Sequence, residues 1–79
     1  MGLLMGQQEV LNFLNERRKQ GEDWFTASQI REELKNKGYT NGVLKGVFDD
    51  AFKLVAFNEI DCRQIGFLRN SKLVFRGKK

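Results

Sequence analysis

The stretch TASQIREELKNKGYTNGVLKGVFDDAFKLVAF, Thr26 to Phe57, decides the fold, because it reads as two helices joined by a turn of a few residues. Thr26 and Gln29 have the spacing of a capping box, in which each side chain accepts from a backbone N–H of the other residue. Phe25 and Ile30 match the accompanying hydrophobic staple. Ala27, Ile30 and Leu34 then form an apolar face and Arg31, Glu32, Lys35 and Lys37 an exposed one. Gly38 is a natural stop, so a helix over 27–37 is predicted. The turn Gly38-Tyr39-Thr40 is followed by Asn41, and either Thr40 or Asn41 can cap the next helix. With Thr40 as the cap, Tyr39 and Leu44 make a second staple that pins the angle between the two helices.

That next helix is predicted over 41–57. Leu44, Val47, Phe48, Ala51, Leu54 and Val55 make its buried face, with Val43 and Phe52 flanking. At 100° per residue the opposite face collects Gly42, Lys45, Gly46, Asp49, Lys53 and Ala56, with Asp50 at its margin. Gly42 and Gly46 each forfeit about 1 kcal/mol of helix propensity relative to alanine. Either a bare surface is wanted there for close approach by a partner, or another protein surface packs there, or the cost is simply tolerated.

Working outward, Val10, Leu11 and Leu14 recur at helical spacing with Phe13 beside them, which predicts a first helix over 7–20. Arg17, Arg18 and Lys19 fall in its last turn, where cations suit the helix dipole, and Gly21 follows as a cap. Trp24 is expected in the core, and Trp24 to Thr26 can supply a short edge strand. After Phe57, Asn58 can adopt the left-handed conformation that closes a helix. Ile60 to Leu68 and Leu73 to Gly77 then read as strands of a hairpin over 60–77. With Asn70 and Ser71 as the loop, Leu68 would pair with Leu73 and Gly66 with Phe75. Ile60, Cys62, Leu68, Leu73 and Phe75 would then share the inward face, and Ile65, Phe67 and Val74 the outward one.

Composition bounds the function. A chain of 79 residues with 41% hydrophobic residues suffices for one small core but leaves little room for an enzyme cleft. There is no histidine, no ligand cluster and no glycine-rich phosphate loop, so no enzyme, cofactor, metal or small-molecule substrate is expected. The lone Cys62 cannot form an internal disulfide, and MGLLMGQQ is too short an apolar run for a signal peptide or membrane span; a cytoplasmic, membrane-free setting is expected. Residues 1–58 carry eight basic and eight acidic side chains, whereas residues 59–79 carry six basic and two acidic, so the net charge of +4 lies entirely at the C-terminal end. Such a run either serves as a solvated tail or provides a field for a polyanion.

The order helix, extended segment, helix, turn, helix, hairpin resembles the winged helix-turn-helix family of small bacterial, archaeal and archaeal-virus transcription regulators. FTASQIREELKNKGYTNGVLKGVF followed by KLVAFNEIDC carries the resemblance. It implies an α+β fold of three helices packed with a C-terminal β-hairpin wing, a recognition helix at 41–57 in the major groove of double-stranded DNA, and the wing near Arg69 to Lys72 on backbone or minor groove. Ser28 and Gln29 are then placed for backbone contacts, and Thr40, Asn41, Gly42, Lys45, Gly46 and Asp49 present the reading face. Asn41 can bond adenine bidentately, Lys45 can reach guanine or a phosphate, and Asp49 can accept from a cytosine amino group. Arg69, Lys72 and Arg76 would supply phosphate contacts. The competing expectation is a winged-helix protein–protein interaction module that reads no DNA, since a fold does not fix a function. Reading two half-sites would call for a homodimer, for which Leu3, Leu4, Phe67 and Val74 are the candidate surfaces.

Overall fold

The computed structural model describes residues 5–21, 24–66, 69 and 71–78, with Met5 described in its backbone only. Leu3, Leu4, Phe67, Leu68 and Asn70, assigned above to a dimer surface or to the hairpin, lie outside the described residues. Helix α1 spans Met5–Lys19, strand β1 Phe25–Thr26, helix α2 Ala27–Asn36, helix α3 Asn41–Lys45, helix α4 Val47–Ala56, strand β2 Ile60–Ile65 and strand β3 Lys72–Gly77. The class is α+β: helices pack on one face of a three-stranded antiparallel sheet in the order β1-β3-β2.

Each boundary has a local cause. Thr26 accepts from the Gln29 N–H at 3.1 Å while Gln29 accepts from the Thr26 N–H at 2.8 Å, so the expected capping box starts α2. At the far end Gly38 has φ +93°, the Gly38 N–H donates to the Lys35 carbonyl, and the Tyr39 N–H donates to the Leu34 carbonyl. That pair of bonds is a Schellman closure. Asn58 repeats it after α4, with φ 60°, its own N–H on Val55 and the Glu59 N–H on Leu54. Thr40 is the residue before α3, but its hydroxyl makes no cap hydrogen bond.

The single helix expected over 41–57 is two helices, and the chain therefore has four among its described residues rather than three. The break falls at Gly46, whose φ of −99° and ψ of 8° leave the helical basin and whose N–H reaches back to Val43 rather than a full turn. Apart from proline, glycine is the residue least able to hold a helix together at such a point. Beyond the break, the buried stripe of α4 is Val47, Ala51 and Leu54, at helical spacing. Phe48, expected within that stripe, is 54% exposed on its flank.

Leu14, Val10 and Phe13 of α1, Ile30 and Leu34 of α2, Leu54 of α4, Ile60 and Phe75 form one core with these residues. Tyr39 closes its edge by donating to the Glu9 carboxylate. Burying side chains of this size is worth about 1.5–3 kcal/mol each before conformational entropy is charged against it.

The sheet corrects two expectations. It is more than a C-terminal hairpin, because β1 pairs with β3 through Phe25↔Phe75 and Thr26↔Val74, as the edge-strand reading of Trp24 to Thr26 anticipated. The hairpin register also differs: Phe75 faces Cys62 and Leu73 faces Gln64, so the partner of Phe75 lies four residues before the expected Gly66. Gly66 has φ +86° and leads the chain out of β2 into a loop longer than two residues. A shift by an even number keeps every side chain on its own face. Ile60, Cys62, Leu73 and Phe75 accordingly all meet the core, as expected.

The outer face is where the core expectation for Trp24 fails. Its ring lies on that face with the guanidinium groups of Arg63, 4.3 Å from the ring centre, and Arg76, 4.6 Å away, stacked on it. Val74, expected to offer a dimer surface, stands between Thr26 and Arg63 in the register and is 4% exposed. The Trp24–arginine stack stands on the same face, which removes Val74 as a surface for a second copy.

Candidate nucleic-acid interface

The first turn of α2, the short helix α3 and the loop end of the hairpin meet around Phe48. A hollow of about 450 Å³ is lined by Thr26, Ala27, Ser28, Phe48, Ser71, Lys72 and Leu73. A second, of about 380 Å³, is lined by Ala27, Ser28, Arg31, Leu44, Lys45, Val47 and Phe48. Ala27, Ser28 and Phe48 border both, so the two form one trough running from α3 across the start of α2 to the hairpin. Its lining combines the apolar Ala27, Leu44, Val47, Phe48 and Leu73 with the cations Arg31, Lys45 and Lys72.

Of the residues expected to contact DNA, Ser28, Lys45 and Lys72 are thus brought together. Gln29 is exposed, but its side-chain oxygen is held by the capping box. Thr40, Asn41 and Gly42 are exposed at the start of α3 and line neither hollow. Arg69 is exposed in the hairpin loop. Gly46 has a structural role at the helix break, and a Cβ there would stand 3.4 Å from Oδ2 of Asp50.

The break also accounts for the two carboxylates. Asp49 and Asp50 are not in the middle of a helix but in the first turn of α4, where negative charge complements the partial positive charge of the helix start. Asp49 remains exposed. Asp50 turns inward toward α1: a Cβ on Gly6 would lie 2.5 Å from its Oδ2. Burial pushes the Asp50 carboxyl above its ordinary value, Lys53 pulls it down and Asp49 adds to the rise.

Arg76 is not available to a phosphate in the way expected. It donates to Asp61 at 3.2 Å, stacks on Trp24, and its Nε is buried with no partner among the described residues. Lys78 is drawn to the same carboxylate at 3.8 Å and donates to the Asn58 side-chain oxygen at 2.6 Å. Similarly, Arg17 of the basic triplet pairs with Glu33 at 2.9 Å and lies over the Phe13 ring, so it ties α1 to α2.

Two residues of the trough were not singled out from sequence. Arg31 follows Ser28 by three, hence shares its helix face, and that spacing was a usable signal. Phe48 was hidden by treating 41–57 as one helix. Elsewhere, burial raises the Cys62 thiol above its usual value, which opposes a reactive thiolate. Among the described residues, no group of three or more His, Cys, Asp or Glu side chains is placed to hold a metal ion, and no helix is long and apolar enough to cross a membrane. No family model, no curated protein and no solved structure matches this chain.

Proposed function

We propose that the chain is a winged helix-turn-helix domain that binds double-stranded DNA as a small transcription regulator, with α3 and the start of α4 entering the major groove. The observation that carries this is the shared trough: cations from three separate elements, Arg31 of α2, Lys45 of α3 and Lys72 of β3, border one continuous surface. A duplex presents two rows of phosphates flanking base edges, and a surface that sets cations from three elements among neutral groups complements that pattern. Ser28 and Arg31 would bond phosphate at the α2 end, Asn41 would reach base edges, Lys45 would hold a phosphate beside α3, and Arg69 and Lys72 would hold the backbone from the hairpin.

A gel-shift titration against salt tests it. Each cation that neutralises a phosphate contributes about 0.9 to the slope of log affinity against log salt, so Arg69→Ala with Lys72→Ala should lower the slope by about 2. Undetectable duplex binding at low salt, or an unchanged slope in the double variant, would refute the proposal. The second reading, a protein-interaction module, is favoured by the exposure of Phe48, Phe52 and Phe57. It predicts no salt-dependent duplex binding at all.

A further inference from the structure

Resting on the DNA reading above, we infer that Phe48 selects for thymine by receiving its 5-methyl group. Phe48 is 54% exposed, yet it is not loosely held. Its ring meets Phe52 at 4.7 Å and 66°, and Phe52 in turn meets the buried Phe75 at 6.0 Å and 82°. This edge-to-face series anchors an exposed ring to the core and limits its freedom to turn away. Phe48 also borders both hollows, so it sits centrally between Lys45 on one side and Lys72 on the other. Cations so arranged would hold phosphates and leave the ring facing what lies between them.

What lies between the phosphate rows in a major groove is a set of hydrogen-bond donors and acceptors with one apolar exception, the methyl group of thymine. A phenyl ring can repay neither an amino nor a keto group for the water it displaces, and burying such groups unpaired is costly. Against a methyl group the same ring gains apolar burial instead. The trough therefore favours a site with thymine opposite Phe48 over one with cytosine or uracil.

Removing one contacted methyl group should weaken binding roughly fourfold, the worth of burying a single methylene-sized group. The probes are alternating duplexes of adenine with thymine or uracil, and of guanine with cytosine or 5-methylcytosine, measured by fluorescence anisotropy at one low salt concentration. The inference expects thymine tighter than uracil and 5-methylcytosine tighter than cytosine, with both differences lost in Phe48→Ala and partly kept in Phe48→Leu. Circular dichroism would confirm that both variants fold. Equal binding of thymine and uracil duplexes, or a methyl preference that survives Phe48→Ala, overturns the inference while leaving duplex binding intact. Tighter binding of a single strand than of either duplex, dependent on Phe48, overturns it in favour of stacking on unpaired bases. Failure to bind any duplex overturns it together with the DNA reading.

Discussion

Gly77, the last residue of β3, is buried opposite Ile60, and a methyl group added there tests how tightly the sheet seats on α1. A Cβ at Gly77 would lie 2.5 Å from Oδ1 of Asn15, 2.7 Å from the Asn15 backbone nitrogen and 2.7 Å from the carbonyl carbon of Leu14. Comfortable carbon contacts need about 3.5–4.0 Å, so each is short by roughly 1 Å. The Asn15 side chain can rotate away, but the two backbone atoms move only if α1 lifts off the sheet. Gly77→Ala should therefore cost about 2–3 kcal/mol, the upper part of the usual range for an overpacked core. For a domain of this size that lowers the melting temperature by roughly 10–20 °C. Gly6→Ala is the internal control. Its Cβ would also meet an atom at 2.5 Å, but that atom is Oδ2 at the end of the Asp50 side chain, and the next contact is Cγ at 3.4 Å. A carboxylate can swing aside, and alanine recovers up to about 1 kcal/mol of helix propensity, so Gly6→Ala should melt within about 4 °C of the wild type. Thermal melts followed by far-UV circular dichroism measure both. A Gly77→Ala protein that melts within about 4 °C of the wild type, or a Gly6→Ala protein equally damaged, would refute the described seating of β3 on α1.

Thr26→Ala removes the hydroxyl that caps α2 and should cost about 1 kcal/mol, whereas Thr26→Ser, which keeps the bond to the Gln29 N–H, should cost less; urea titrations of the pair decide it. The hydrogen bond to Glu9 raises the Tyr39 hydroxyl above its ordinary value of 10.0, so the fold favours the protonated phenol. Stability from that bond is complete below pH 10.0 and is lost as pH rises through the raised folded value, so the urea-midpoint gap between wild type and Tyr39→Phe should narrow above pH 10.0. A gap that stays constant into that range would refute it.

The helix ends and the sides of the strands were legible because they follow from short-range chemistry. The Thr26–Gln29 box and the left-handed Gly38 and Asn58 each depend on a few consecutive residues, and all three are formed. The inward set Ile60, Cys62, Leu73 and Phe75 was legible for a different reason: alternation survives any even change of register, so the faces were right while the pairing was not. What was not legible depends on distant parts of the chain. A helical wheel drawn through Gly46 carries one phase across a break, which buries Phe48 and puts two first-turn aspartates in mid-helix. Trp24 looked like a core residue by size and composition, and only the pairing of β1 with β3 places it where Arg63 and Arg76 can stack on it.

The same distinction decides how much positive charge the domain can bring to a polyanion. In sequence, the acid-free run after Arg63 looks like one basic patch. In the fold Arg63 and Arg76 hold Trp24, and Arg76 and Lys78 gather on Asp61, so half of that run is engaged in securing the outer sheet face. Arg69 and Lys72 are left exposed at the hairpin, joined by Arg31 and Lys45 at the trough. Four cations at about 0.9 each give a salt slope near −3.6, and one such domain would lose most of its affinity between dilute and physiological salt. On the proposed DNA-binding reading, specificity would have to come from what lies between the cations, and Phe48 and the start of α3, rather than the basic C-terminal run, would stand at the centre of recognition.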